Sequence, residues 1–251
     1  MAKRNEIVDF LNKYLRSDGV GDASRNGLQV EGKPQVRKLA FGVSASAEFL
    51  RLAAAEGADL AVVHHGLIWD SPERVAGSFK LRLKTLLDAE MSLAAWHLPL
   101  DMHEKCGNSA QLLGFFDPAD IKPFGEYHGS YIGMKGRLKL PLRLHDAADI
   151  LKSRIGGDPV ELAFGPEAIR TVGVISGGAS AMIGQAIAEK LDLYISGDAS
   201  EPVYEFAREG KINFISGGHY NTEKTGVLAL KEIAAKRFRI KTVFIDVPNP
   251  F

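Results

Sequence analysis

The chain has 251 residues, and its 31 basic and 31 acidic side chains cancel to a formal net charge of zero, with 45% of residues hydrophobic. That length holds one large domain or two small ones with a proper core, and the composition excludes disordered, collagenous and coiled-coil classes. The charge balance argues against nucleic acid as a partner, because proteins that work on a phosphate backbone carry a basic excess. Cys106 is the single cysteine, which excludes a disulfide framework or a CxxC metal ribbon and reads as cytosolic. The opening MAKRNEIVDF has no apolar run behind its basic residues, and no stretch approaches the roughly 20 apolar residues of a membrane span. The expectation is a soluble cytoplasmic protein with no membrane partner.

In chain order, Asn5 to Leu15 carries Ile7, Val8, Phe10, Leu11, Tyr14 and Leu15 on one helical face. A loop from Gly19 to Gly32 follows, containing the run NGLQVEG. Strand and helix patterns then alternate. Val36 to Val43 reads as a strand, Ser46 to Glu56 as a helix, and Leu60 to Val63 as a strand ending in His64-His65. Ser78 to Glu90 reads as a helix, Ser92 to Trp96 as a strand ending at His97, and Ser109 to Leu113 as a helix. The segment 124–164 has turn residues at short intervals and then a helix from Asp146 to Arg154, the pattern of a small inserted α+β subdomain. The core is then formed by 1–123 and 165–251 together.

In the last third, Ile175-Ser176-Gly177-Gly178, Ile195-Ser196-Gly197-Asp198 and Ile215-Ser216-Gly217-Gly218 recur every 20 residues. Each closes an apolar run and opens a helix pattern, and 20 residues is close to the minimum for a strand, a turn and a short helix. With a final strand from Thr242 to Val247, the expectation is an α/β fold of two related parallel-sheet layers with the small insert.

Three histidine clusters fall just past strand ends, where a parallel α/β sheet places its ligands. They are VVHHG with His64 and His65, WHLPLD with His97 and Asp101, and SGGHYNTE with His219 and Glu223. One strand-end histidine is an ordinary hydrogen-bonded residue; three such clusters, each with a carboxylate or second imidazole, point to metal. Imidazole and carboxylate donors without thiolate suit Zn²⁺, Mn²⁺, Fe²⁺ or Ni²⁺. Adjacent histidines on a strand project to opposite sides, so His64 and His65 suit two ions better than one. Glu223, expected in the first turn of its helix, is a candidate bridge between such a pair. His97 stays open as ligand, as support for a ligand, or as a proton donor.

Other features carry two readings. Gly177-Gly178 before a helix could seat a phosphate or be a plain turn. Asp198 and Glu201 could face the same cleft, or Asp198 could cap a helix. Trp69 and Trp96 could stack on a flat ring or simply pack. His103, His128 and His145 lie in loop or insert context. No G-x-S-x-G elbow is present, which disfavours a serine hydrolase.

The runs NGLQVEG, VVHHG, WHLPLD, GNSAQLL, SGDASE and GHYNTE, with the tail FIDVPNP, resemble the NIF-three-like dinuclear-metal family of GTP cyclohydrolase 1 type 2 homologs. The resemblance runs from about Asn26 to the C-terminus. It implies His64, His65, Asp101, His219 and Glu223 as ligands of two divalent ions per chain, with His97 as an additional site histidine. Many members read H-T-N-L-D where this chain has H-L-P-L-D from His97 to Asp101, the usual form in short bacterial members. That change removes a polar pair beside the metals. The resemblance also implies a toroidal homohexamer with the metal sites facing an internal cavity. The leading expectation is a metal-dependent hydrolase of a nucleotide-like small molecule, by GTP cyclohydrolase-type chemistry or on modified or damaged nucleotides, with His97 as proton shuttle. The rivals are a non-catalytic metal-binding or metal-delivery protein and a hexameric scaffold.

Overall fold

A computed structural model describes residues 1–70 and 74–251. Their contacts divide the chain into two units, Met1–Leu100 with Val227–Pro248, and Asp101–Gly226 with Asn249–Phe251.

The first hundred residues form β1 (Ala2–Lys3), α1 (Arg4–Leu15), β2 (Gly27–Val30), β3 (Gln35–Val36), β4 (Lys38–Ser44), α2 (Ala47–Ala55), β5 (Leu60–His65), α3 (Gly77–Asp88) and β6 (Ser92–Ala95). Helix α1 buries Ile7, Val8, Leu11 and Leu15, one stripe at helical spacing. Helix α2 starts where the Ser46 hydroxyl accepts the Phe49 N–H at 3.1 Å, an N-cap that stops β4 from running on. Strands β4, β5 and β6 are parallel and almost wholly buried, which explains their continuous apolar reading. Phe49, Leu50 and Ala53 of α2 pack with Ala40, Ala61, Val63 and Leu93 of these strands in one core. The segment predicted as a loop from Gly19 to Gly32 contains β2, which pairs antiparallel with β6. Four residues at a sheet edge, one of them Gln29, are too few to show alternation.

Beyond β6 come α4 (Leu98–Asp101), α5 (Asn108–Gly114), β7 (Pro118–Tyr127), β8 (Ser130–Leu142), α6 (Leu144–Ile155), β9 (Val160–Leu162), β10 (Ile169–Val174), α7 (Ile183–Ala188), β11 (Leu193–Ser196), α8 (Val203–Gly210), β12 (Asn213–Ser216), α9 (His219–Phe238) and β13 (Lys241–Phe244). The second unit's sheet has the order β7-β8-β10-β11-β12-β9. Its centre, β10-β11-β12, is parallel, with Ile195 opposite Ile215 and Ser196 opposite Ser216. The 20-residue repeat is therefore one strand-turn step, and it stacks the Ser-Gly turns at one end of the sheet. Strands β8 and β9 flank this centre antiparallel, so the sheet is mixed.

Residues 124–164, expected as a small insert, supply the last four residues of β7 together with β8 and β9 to the same sheet as the repeat, and α6 between β8 and β9. The β7–β8 hairpin turns on His128 and Gly129, both at positive φ, the geometry of a two-residue primed turn. The final strand does not extend the repeat. β13 pairs parallel with β4 in the first unit's sheet, whose order is β13-β4-β5-β6-β2. Each unit is thus an α/β layer on a parallel-containing sheet. No helix among the described residues is long and apolar enough to cross a membrane.

Candidate metal centre

In the first unit, β5 delivers two imidazoles and the turn after β6 delivers a third. His64 is fully buried, and its Nδ1–H donates to the Trp96 carbonyl at 3.0 Å. With the proton fixed on Nδ1, Nε2 carries the lone pair that a metal needs. His65 Nδ1 lies 3.1 Å from Ser44 Oγ. His97 Nδ1–H donates to Asp22 Oδ1 at 2.9 Å, which likewise leaves its Nε2 as the reactive nitrogen. The His64 ring centroid is 4.6 Å from that of His65 and 5.0 Å from that of His97, and one ligand-type nitrogen of each lies within 4.8 Å of the other two. The two adjacent histidines do not diverge as strand alternation predicts. Their ring centroids lie 4.6 Å apart although both residues belong to β5 and His65 still pairs with Ser44 of β4.

Two residues outside the histidine motifs, to which the sequence assigned no role, hold this arrangement. Asp22 accepts four hydrogen bonds, from the Ser24 and Leu98 amides, Asn26 Nδ2 and His97 Nδ1. Burial works to raise its pKa, but the bonds from His97, Asn26 and Ser24 win and hold the carboxyl down at about 2. Asn26 in turn accepts the His97 amide at 2.8 Å. Gln29 Oε1 accepts the Leu67 and Ile68 amides, and its Nε2 donates to the Arg25 and Ile68 carbonyls. That clamp fixes the chain just after His64-His65. A Cβ at Gly66 would lie 2.3 Å from Gln29 Oε1, so the glycine of VVHHG makes room for the clamp.

In the second unit, Asp101 is buried, and its Oδ1 accepts Asn108 Nδ2 at 2.8 Å and Ser176 Oγ at 2.9 Å. Asn108 Oδ1 also accepts the Gly226 amide, tying α5 to α9. His219 opens α9, and Glu223 stands one turn later on the same face, in the second turn rather than the first. His219 Nε2 and Glu223 Oε1 are 3.1 Å apart, with Glu223 nearly fully buried. Placing two carboxylates in low dielectric carries a large desolvation penalty that positive charge offsets. With nitrogen and oxygen donors and no thiolate, the chemistry in each unit fits a borderline or hard divalent cation.

The Gly177-Gly178 turn does not have the form of a phosphate seat. A Cβ at Gly177, which sits at φ +66°, would lie 2.3 Å from Glu223 Oε1, so the turn is shaped around that carboxylate. The turn leads into a single 3-10 turn, Ser180–Met182, and only then into the six-residue α7. Asp198 accepts the Ser180 amide and hydroxyl, a capping role, and Glu201 is exposed. Trp96 is buried with its Nε1–H on Asn12, whereas Trp69 stands 5.2 Å from the His97 ring. His103 Nδ1 accepts the Lys105 and Cys106 amides, His128 forms the hairpin turn, and exposed His145 contacts Glu161.

The sequence profile of the Duf34/NIF3 (NGG1p interacting factor 3) family matches residues 2–250. A protein of Pyrococcus abyssi (strain GE5 / Orsay) named GTP cyclohydrolase 1 type 2 homolog is 42% identical over 248 residues, 98% of this chain and 99% of its own length. An Escherichia coli (strain K12) protein of the same name is 37% identical over 254 residues, 99% of each chain. A crystal structure from Thermus thermophilus shares the fold at a TM-score of 0.91, with 36% identity over 100% of both chains. With the profile and these relatives all spanning the whole length, the chain belongs to the Duf34/NIF3 family.

Proposed function

We propose that this protein is a metal-dependent hydrolase of a small nucleotide-like molecule, with His64, His65, Asp101, His219 and Glu223 holding two divalent ions and His97 moving the proton. The observation that carries the reading is the Asp22–His97 pair beside His64 and His65. Two imidazoles of ligand type sit against a third whose proton is pinned by a carboxylate on its far nitrogen, which leaves Nε2 to give or take a proton. His64, locked by Trp96, presents a lone pair without reorganisation. Bound divalent ions would supply Lewis acidity and a nucleophilic water at neutral pH. The relatives' name, GTP cyclohydrolase 1 type 2 homolog, directs the substrate search to purine nucleotides and their damaged forms. A toroidal homohexamer completes the proposal, and light scattering tests it against six times the 27.2 kDa chain mass.

Elemental analysis paired with a nucleotide-hydrolysis screen, before and after chelation, tests the reading. Two ions per chain with chelator-sensitive turnover support it. His97→Ala should keep both ions and lose turnover by about 10²- to 10⁴-fold; loss of an ion instead makes His97 a ligand. Two ions with no turnover on any nucleotide would replace the hydrolase with a metal-binding or metal-delivery protein. A Glu223→Gln variant that loses metal yet still binds a partner would favour a scaffold.

A further inference from the structure

The second unit carries a basic cleft of about 220 Å³ on the face of strands β7, β8 and β10, lined by Lys122, Lys135, Arg137, Asp120, Thr171 and Leu191 among others. Its geometry follows from the strand pairing. Lys135 and Arg137 are two apart on β8 and so share one face of the sheet. Lys122 of β7 stands opposite Lys135, and Thr171 of β10 stands opposite Arg137. Between Ala119 and Lys122 the β7 register slips, with Asp120 at φ +53°, so that β7 spends three steps where β8 spends two. This bulge is what brings Lys122 across from Lys135.

Two lysines directly opposite one another repel, and among the described residues only one of the three cations is neutralised. Lys135 pairs with Glu189. Among the described residues, neither Lys122 nor Arg137 makes an ion pair, and both are exposed. Burial first, and the Lys122 ammonium second, pull the Lys135 pKa below the ordinary lysine range even with Glu189 alongside. Among the described residues Asp120 is the one carboxylate in the lining, so the rim keeps an excess of positive charge. Thr171 Oγ1 is already engaged with Asp192, donating to its carboxylate and accepting its amide.

We propose that this cleft binds the phosphate or diphosphate group of a small molecule, with Lys122 and Arg137 gripping it from the rim and Lys135 contacting it from the floor. Arginine gives a planar two-pronged donor and lysine a mobile point charge, the usual pair for a phosphoryl group. The volume is below that of a drug-sized pocket, so it suits a headgroup rather than a whole nucleotide.

The test is calorimetric titration of the full-length protein with inorganic pyrophosphate at physiological salt. Saturable binding is expected, weakened roughly tenfold or more in Lys122→Ala/Arg137→Ala. Lys122→Arg should retain it, and so should Lys80→Ala, which removes one exposed charge on the other unit. Both cleft residues are exposed, so the double variant should fold, and circular dichroism checks that it does. Absence of binding in the wild type overturns the proposal. So does binding that survives the double variant, because the anion then sits elsewhere, as at bound metal. Equal weakening by Lys80→Ala also overturns it, by reducing the effect to general charge.

Discussion

The Asp22 carboxylate accepts the Nδ1–H of His97 at 2.9 Å across 75 residues of sequence. That contact decides which nitrogen of His97 faces His64 and His65. It also makes Asp22, far from every histidine motif, a determinant of the site's chemistry.

Asp22→Asn should therefore act on function and stability together. The amide replaces an acceptor of four hydrogen bonds with a group that must turn one NH₂ toward another donor. A loss of about 1–3 kcal/mol in urea unfolding at pH 7 is expected, with a roughly 10- to 100-fold fall in metal affinity or turnover. An unchanged unfolding midpoint would show that the network carries no stability.

The same residue sets a pH dependence. Its folded pKa, about 2, lies below the ordinary 3.8, so its contribution is present above pH 4 and lost as pH falls toward 2. Urea midpoints of the wild type and Asp22→Asn should differ most near neutrality and converge by about pH 2. A gap that stays constant with pH would assign the effect to packing instead.

Gly66 and Gln29 should be coupled. Gly66→Ala places a methyl where Gln29 Oε1 sits, displacing it from the Leu67 and Ile68 amides, and Gln29→Ala removes the same bonds directly. Each should cost about 1–3 kcal/mol, and the double variant should fall short of the sum by at least about 0.5 kcal/mol. Strict additivity would mean that the glycine serves something other than the clamp.

Asn108 bridges Asp101 and the Gly226 amide from a fully buried position. Asn108→Ala strands that amide and takes one donor from Asp101, so about 2–4 kcal/mol is expected in denaturant unfolding. Divalent-ion binding measured by calorimetry should weaken in parallel. Full metal affinity in a destabilised Asn108→Ala would separate the α5–α9 tie from the metal site.

Divalent ions that bind only the folded state should raise thermal stability, by about 2.7 kcal/mol at a hundredfold excess over Kd. Chelation should lower the melting temperature, and adding the ion back should restore it. Gly177→Ala, which crowds Glu223 and strains a positive φ, should lose about 1–2 kcal/mol of apo stability and in addition show a smaller metal-induced rise.

The sequence by itself determined what repeats locally. Buried parallel strands read as apolar runs, α1 and α2 as stripes, and the 20-residue step as β10, β11 and β12. Because a strand end needs only a strand and the turn after it to be recognised, His64, His65, His97, Asp101, His219 and Glu223 stood out as candidate donors from adjacent residues alone. Tertiary structure decided the rest. The partners of His97 and of the chain after His65, Asp22 and Gln29, lie in a segment without periodicity, and the bond from Asn108 to Gly226 spans 118 residues. Neither leaves a trace in local pattern, because a long-range hydrogen bond constrains two single positions and not the spacing around them. The sheet chosen by β13 and the convergence of the His64 and His65 rings were fixed in the same way, by neighbours that only the folded chain supplies.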